Sequence, residues 1–173
     1  MKRMLAVLMV VIMIFSFSSC ASVKVSSPFR DKDIEQADAR MEQLFGEIKQ
    51  QNKEGLKELF SEKAIDEAEN INIEIDDFLS FVQGEVVSWN RDDSPTVYDV
   101  VEQGSKSKQL ITWYTLDTDE QNYLVLLVDY PIDTINPENA GLYSIRILKA
   151  EDENKLVGFV EDWVIPGIYI LDN

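Results

Sequence analysis

Histidine is absent from this sequence and cysteine occurs once, at position 20. That combination excludes a His-assisted serine or cysteine nucleophile, a His-bearing zinc site and thiol redox chemistry within one chain. Carboxylates, hydroxyls, lysine and arginine are left to do chemistry. Asp129 is set apart among them because it directly continues the aliphatic run Leu124-Val125-Leu126-Leu127-Val128, so its strand leaves the core beside a carboxylate. Trp113, Tyr114, Tyr143 and Arg146, with Tyr130, are the other polar or amphipathic side chains set in aliphatic stretches. A few such groups amid apolar walls describe a small-molecule pocket. Two roles stay open for Asp129: a general base in that pocket, or a strand-end carboxylate that caps the loop at residues 131–141 or pairs with Arg146. The aromatic rings can equally be core. Register limits the cluster too, because a slip of one residue would turn each of these side chains to the opposite face. Asp129, Asp133, Asn136, Glu138 and Asn139 also offer oxygen atoms, but their spacing matches no established calcium loop. Neither a metal nor another cofactor is expected.

Strands must hold these side chains. From Gly84 onward the composition turns β-rich with period two, which predicts strands at residues 85–89, 97–101, 110–116, 123–130, 142–148, 156–164 and 168–171. Residues 104–107 and 117–121 read as turns, Pro131 as the end of a strand, residues 133–139 as a longer loop, residues 151–154 as a polar turn and Pro166-Gly167 as a type II turn. Before Gly84 the period is helical. Ile34, Ala37, Met41, Leu44, Phe45 and Ile48 form one stripe on an expected helix over residues 33–51, with Asp33 placed to cap it. Leu56, Leu59 and Phe60 make a short second face. Ser61 can cap the next segment, an acidic run that leads into one further stripe through Ile71, Ile75, Phe78, Leu79 and Val82. Ile71, Ile73 and Ile75 also alternate, which leaves a strand open there. Asp66, Glu67, Glu69, Glu74, Asp76 and Asp77 fan over the solvent side of that helix. Helices first and strands later predict one α+β domain over residues 33–173, with N-terminal helices packed on one face of an antiparallel sheet. Its central strands are apolar on both faces, so something must cover the second face; a second copy of the chain, giving a homodimer, is the simplest cover.

Sixteen basic residues stand against 32 acidic ones, a formal charge of −16 at pH 7. Such a surface repels nucleic-acid phosphates and anionic lipid head groups, so nucleic acid is excluded as a partner and flat adsorption to a membrane is disfavoured. The membrane enters through the N-terminus instead. Lys2 and Arg3, an apolar stretch at residues 4–17 and the small residues Ser18-Ser19-Cys20 make a secretory leader over residues 1–20. At about 1.5 Å per residue the apolar stretch reaches only about 21 Å, too short to span roughly 30 Å of hydrocarbon. Phe17-Ser18-Ser19-Cys20 resembles the bacterial lipobox, in which a cysteine after small residues is lipidated and becomes the mature N-terminus; Phe17 stands where that motif usually has leucine. Ordinary cleavage after Ala21 is the alternative. Lipidation at Cys20, with acyl chains such as palmitate, gives an expected site on the extracytoplasmic face of the cell membrane, because two or more chains hold a protein firmly where one does not. Residues 21–32 then read as a short tether.

A helical hood followed by a long meander is similar to the nuclear transport factor 2-like cone, also called cystatin-like, with helices against a curved sheet. Asp129-Tyr-Pro-Ile-Asp-Thr-Ile-Asn-Pro-Glu-Asn-Ala-Gly-Leu-Tyr-Ser-Ile145 and Trp163-Val-Ile-Pro-Gly-Ile-Tyr-Ile170 resemble a family of bacterial, mostly Gram-positive, lipoproteins of undefined function with that fold. The likeness covers roughly residues 33–170. The cone hosts enzymes, binding modules and assembly domains alike. It implies a small-molecule- or partner-binding module of unknown ligand, or alternatively an isomerase- or dehydratase-like enzyme using Asp129 as general base, as ketosteroid isomerase-like members place a carboxylate in the pocket.

Overall fold

A computed structural model describes residues 31–156 and 165–171 in full and the backbone of residues 22–25. The leader, Cys20 and the strand expected at residues 156–164, Leu156 excepted, lie outside the described residues, as does Trp163. Helix α1 (Asp31–Gln50) buries the predicted stripe of Ala37, Met41, Leu44 and Ile48, and Asp33 with it. Acids Asp31 and Asp33 in its first turn and Lys49 in its last complement the helix dipole. Gln51 ends it in the left-handed region, at φ 52°, and donates its N–H to the Ile48 carbonyl at 3.0 Å.

Three short helices follow, each started by a side-chain cap. Asn52 accepts from Gly55 N at α2 (Lys53–Leu59), Ser61 from Ala64 N at α3 (Glu62–Glu67) and Asn70 from Ile73 N at α4 (Ile71–Phe81). The stretch expected as one stripe is thus two helices, since Asn70 takes an N-cap conformation that a helix interior cannot accommodate. The alternating isoleucines resolve as helix: Ile71 and Ile75 are buried, while Ile73 faces water. The acids of this stretch are exposed except for Glu74, whose carboxylate accepts the Ile168 N–H at 3.0 Å.

Among the described residues seven strands form one sheet: β1 (Ser22–Val25), β2 (Val86–Arg91), β3 (Thr96–Glu102), β4 (Ser105–Thr118), β5 (Asn122–Asp133), β6 (Gly141–Lys149) and β7 (Gly167–Leu171). Their order is β1-β3-β4-β5-β6-β7, and β2 also pairs with β4, beside its second half. Three expectations need correction. Pro131 does not end β5, which continues to Asp133; it lies beyond the last β6 pair, Tyr130 with Gly141, and within a bulge of β5 itself, where Tyr130 and Pro131 together face Gln109 of β4, so its missing N–H leaves no ladder bond unmade. The sheet is not wholly antiparallel, because β7 pairs with β6 in parallel, Ser144 opposite Gly167. Part of the expected tether is itself a strand, β1, antiparallel to β3.

The main core lies between the helices and the inner sheet face, where Met41, Leu44, Phe78 and Ile75 meet Tyr114, Leu116, Tyr123, Val125, Leu127, Ile145 and Ile147. Each fully buried side chain of this size contributes about 1.5–3 kcal/mol relative to its exposed state. A second cluster on the outer face contains Ile111, Leu126, Val128 and Tyr143, with Tyr98, Trp113 and Tyr130 packed against it. Ile111, Leu126, Val128 and Tyr143 are buried within the chain. No described helix is long and apolar enough to cross a membrane.

Candidate functional site

Polar contacts sew the N-terminal half of α1 to the sheet. Asp33 pairs with Lys108 of β4, Asp38 with Arg91 of β2, and the Arg40 Nε donates to Asp129 Oδ1 of β5 at 2.7 Å. Arg40 sits where it does because α1 turns residues 33, 37, 40, 44 and 48 to one side, so the same period that buries Ala37 and Leu44 carries an arginine to the sheet. Asp129 shares the inner face with Leu127 and is 4% exposed. Burial pushes its carboxyl above the usual carboxylate range, and the Arg40 guanidinium offsets only part of that. Tyr114 stacks edge-on against Trp89 at 5.5 Å, and its hydroxyl stands 3.4 Å from Asp38; burial drives its phenol well above the ordinary tyrosine value. The space bounded by Ala37, Arg40, Thr112, Tyr114, Leu127 and Asp129 does not admit a water molecule.

The five residues expected to share a pocket are divided between the two faces. Tyr114 and Asp129 lie inside, beneath α1, whereas Trp113, Tyr143 and Arg146 lie outside. Strand alternation separates Trp113 from Tyr114, and the register that sets Arg146 opposite Leu126 places it outward. Asp129 therefore pairs with Arg40 and is remote from Arg146, whose guanidinium covers the Tyr169 ring at 4.5 Å. Tyr130, edge-on to Tyr143 at 5.2 Å, accepts from Gln109 Nε2 at 2.7 Å, and burial pushes its phenol up to about 12. Asp133 is engaged by its own loop: its carboxylate accepts from Ile135 N, Asn136 N and Asn139 Nδ2 at 3.0, 2.8 and 3.0 Å. Asp129 and Asp133 thus turn to separate partners, and the oxygen-rich stretch does not converge on a cation.

A groove of about 680 Å³ opens instead at the far end of α1, between the ends of α1 and α4 and the start of β2. Its floor is the buried Ile48, Leu79, Val82 and Val86; Lys49, Gln51, Glu85 and Asp119 form a polar rim. Tyr123 ties down the chain on either side of Val82. Its hydroxyl donates to the Phe81 carbonyl at 3.0 Å and accepts the Gln83 N–H at 2.8 Å, closing the end of α4. Gly84 then turns the chain into β2 at φ 82°, and Asp119 Oδ1 accepts the Glu85 N–H at 2.7 Å. Sequence reading missed this site because three separate stretches, residues 48–51, residues 79–87 and Asp119, build it, with ordinary core residues among them. Gly84 between a helical and a strand period is the only local signal.

The model of a family described as a domain of unknown function (DUF5104) matches residues 43–150, a span that includes the groove residues and Asp129 but not Arg40. No curated protein matches the chain.

Proposed function

The chain belongs to the DUF5104 family, and from that premise, which fixes no activity, we propose a lipid-anchored extracytoplasmic protein whose folded part is a binding module, with the groove beside α1, α4 and β2 as its ligand site. Cys20 supplies the anchor through its lipobox-like setting. The helices on one sheet suit a nuclear transport factor 2-like cone in a bacterial lipoprotein. The observation that carries the binding reading is the groove itself: an open concavity of about 680 Å³ whose accessible lining is mostly polar, set over the buried side chains of Ile48, Leu79, Val82 and Val86, so that polar groups converge on one concave surface where they can orient a ligand.

The enzymatic alternative, Asp129 as general base of an isomerase- or dehydratase-like reaction, is the weaker reading. A base must reach its proton directly or through one water, and Asp129 is bonded to Arg40 at 2.7 Å beside a space too small to admit water.

Methyl NMR of the full chain in zwitterionic nanodiscs, titrated with a set of small neutral and charged fragments, tests the site. Shifts are expected at Ile48, Leu79, Val82 and Val86. Shifts at Leu110 and Leu127 with none in the groove would return the site to Asp129.

A further inference from the structure

Strand β2 pairs with β4 on one side, and among the described residues no strand lies on its other side. An open edge of this kind offers a row of backbone N–H and C=O groups to another chain. Proteins commonly blunt such edges with lysine, proline or a β-bulge; Val-Val-Ser-Trp-Asn-Arg has neither lysine nor proline, and its one register shift, between Val86 and Ser88, leaves Ser88 to Arg91 regular. Val87 is skipped in the register between Val86 and Ser88 and is 62% exposed, at the mouth of the groove. Carboxylates outnumber cations around this edge: exposed Glu85 and Glu120 at one end with Asp119, whose Oδ1 accepts the Glu85 N–H, Glu42 alongside where it accepts the Trp89 indole N–H at 2.9 Å, and at the other end Asp93 with Asp92, which accepts from Thr115; the cations are Lys49 at the groove rim and Arg91, which is paired with Asp38.

We propose that β2 and the groove together bind an extended, basic segment of a partner protein, which adds as a strand to the free edge. This deepens the groove reading and rests on it. The segment's backbone would pair with β2, one apolar side chain would enter over Ile48, Leu79 and Val86, and lysine or arginine side chains on either side would meet the carboxylates. A strand of six residues spans about 20 Å, so the recognised segment is about six residues long. Charge decides against the other occupant of an open edge, a second copy of this chain, because edge-to-edge pairing would bring two acidic rims together on molecules of formal charge −16.

The test uses full-length protein in zwitterionic nanodiscs and a capped heptapeptide of alternating lysine and valine. Its counterparts are the glutamate version and two backbone N-methylated versions, one for each alternating set of amides. The lysine peptide should shift the methyls of Leu79, Val86 and Val87, weaken as salt rises, and bind at least about tenfold more tightly than the glutamate peptide. One N-methylated version should lose binding. Val87→Pro, at a position outside the β4 ladder, should lose the lysine peptide while small fragments still shift Ile48 and Leu79; Glu85→Gln with Glu120→Gln should weaken the peptide without touching the backbone. Equal binding of the lysine and glutamate peptides, or retention of both N-methylated ones, overturns the proposal and leaves the groove standing. Groove methyls that respond to no fragment overturn the groove reading as well.

Discussion

Arg40→Ala is expected to cost about 3 kcal/mol or more at pH 8, while Asp129→Asn costs about 1 kcal/mol or less, although both break the same ion pair. The asymmetry follows from burial. The Asp129 carboxyl is sealed beneath α1, whereas the Arg40 side chain is 19% exposed and can turn to water when its partner is lost. Burial already outweighs Arg40 and raises the Asp129 pKa, so the fold prefers a neutral group there; asparagine provides one and still accepts from Arg40 Nε. Arg40→Ala leaves the charge stranded. The pH dependence has a definite sign: a folded-state carboxyl pKa above its unfolded value contributes stability that is present below the ordinary carboxylate range and lost as pH rises through the elevated value. That window should extend upward in Arg40→Ala, so its deficit relative to wild type should grow from pH 5 to pH 8. Arg40→Met retains the packing of the arginine stem and separates charge from volume. Urea unfolding of the four proteins at both pH values checks this, and an Asp129→Asn loss as large as that of Arg40→Ala would contradict it.

Gly141→Ala should destabilise by about 2–4 kcal/mol, combining left-sided backbone strain with a backbone collision. Gly141 begins β6 at φ 125°, and a Cβ there would stand 3.0 Å from Ser61 N, 3.2 Å from Ser61 Cα and 3.3 Å from Leu59 O. None of these is a flexible side-chain tip. The same junction carries the Ser61 N–H to Leu142 carbonyl bond at 2.9 Å, the parallel bridge of Phe60 with Leu142, and the Ser61 cap of α3. Displacing β6 therefore loosens the contact of α2 and α3 with the sheet. Gly104→Ala is the control, since Gly104 has φ 90° but nothing within 4 Å of the added Cβ; only the backbone term, about 1–2 kcal/mol, should appear. Equal thermal shifts for the two variants would show that the junction at Ser61 is not tight.

Local period made α1 readable, because its buried stripe runs from Ala37 to Ile48. The same holds for β4 and β5, whose apolar alternation continues through their paired cores. Pro131 misled because its missing N–H matters only where a ladder bond is required, and that depends on the neighbouring strands. The parallel placement of β7 was hidden for a similar reason: a strand's composition does not state its direction, and here Glu74 of α4 fixes the Ile168 amide. At the candidate site Asp129 was found as an acid at the end of an aliphatic run, yet its face and partner were not. Arg40 sits 89 positions earlier and reveals itself only as a cation on the buried side of α1. The groove left still less trace, being assembled from the terminal residues of separate elements.

Everything proposed for the groove presupposes a domain held at the outer face of a membrane, and the N-terminal peptide of the mature protein reports that directly. Protease digestion of the membrane fraction followed by mass spectrometry should yield a peptide that begins at Cys20 and carries diacylglyceryl mass, and Cys20→Ala should abolish both the modification and normal processing. An unmodified mature chain recovered from the soluble fraction, beginning after Ala21, would contradict the anchor and with it the placement of the protein.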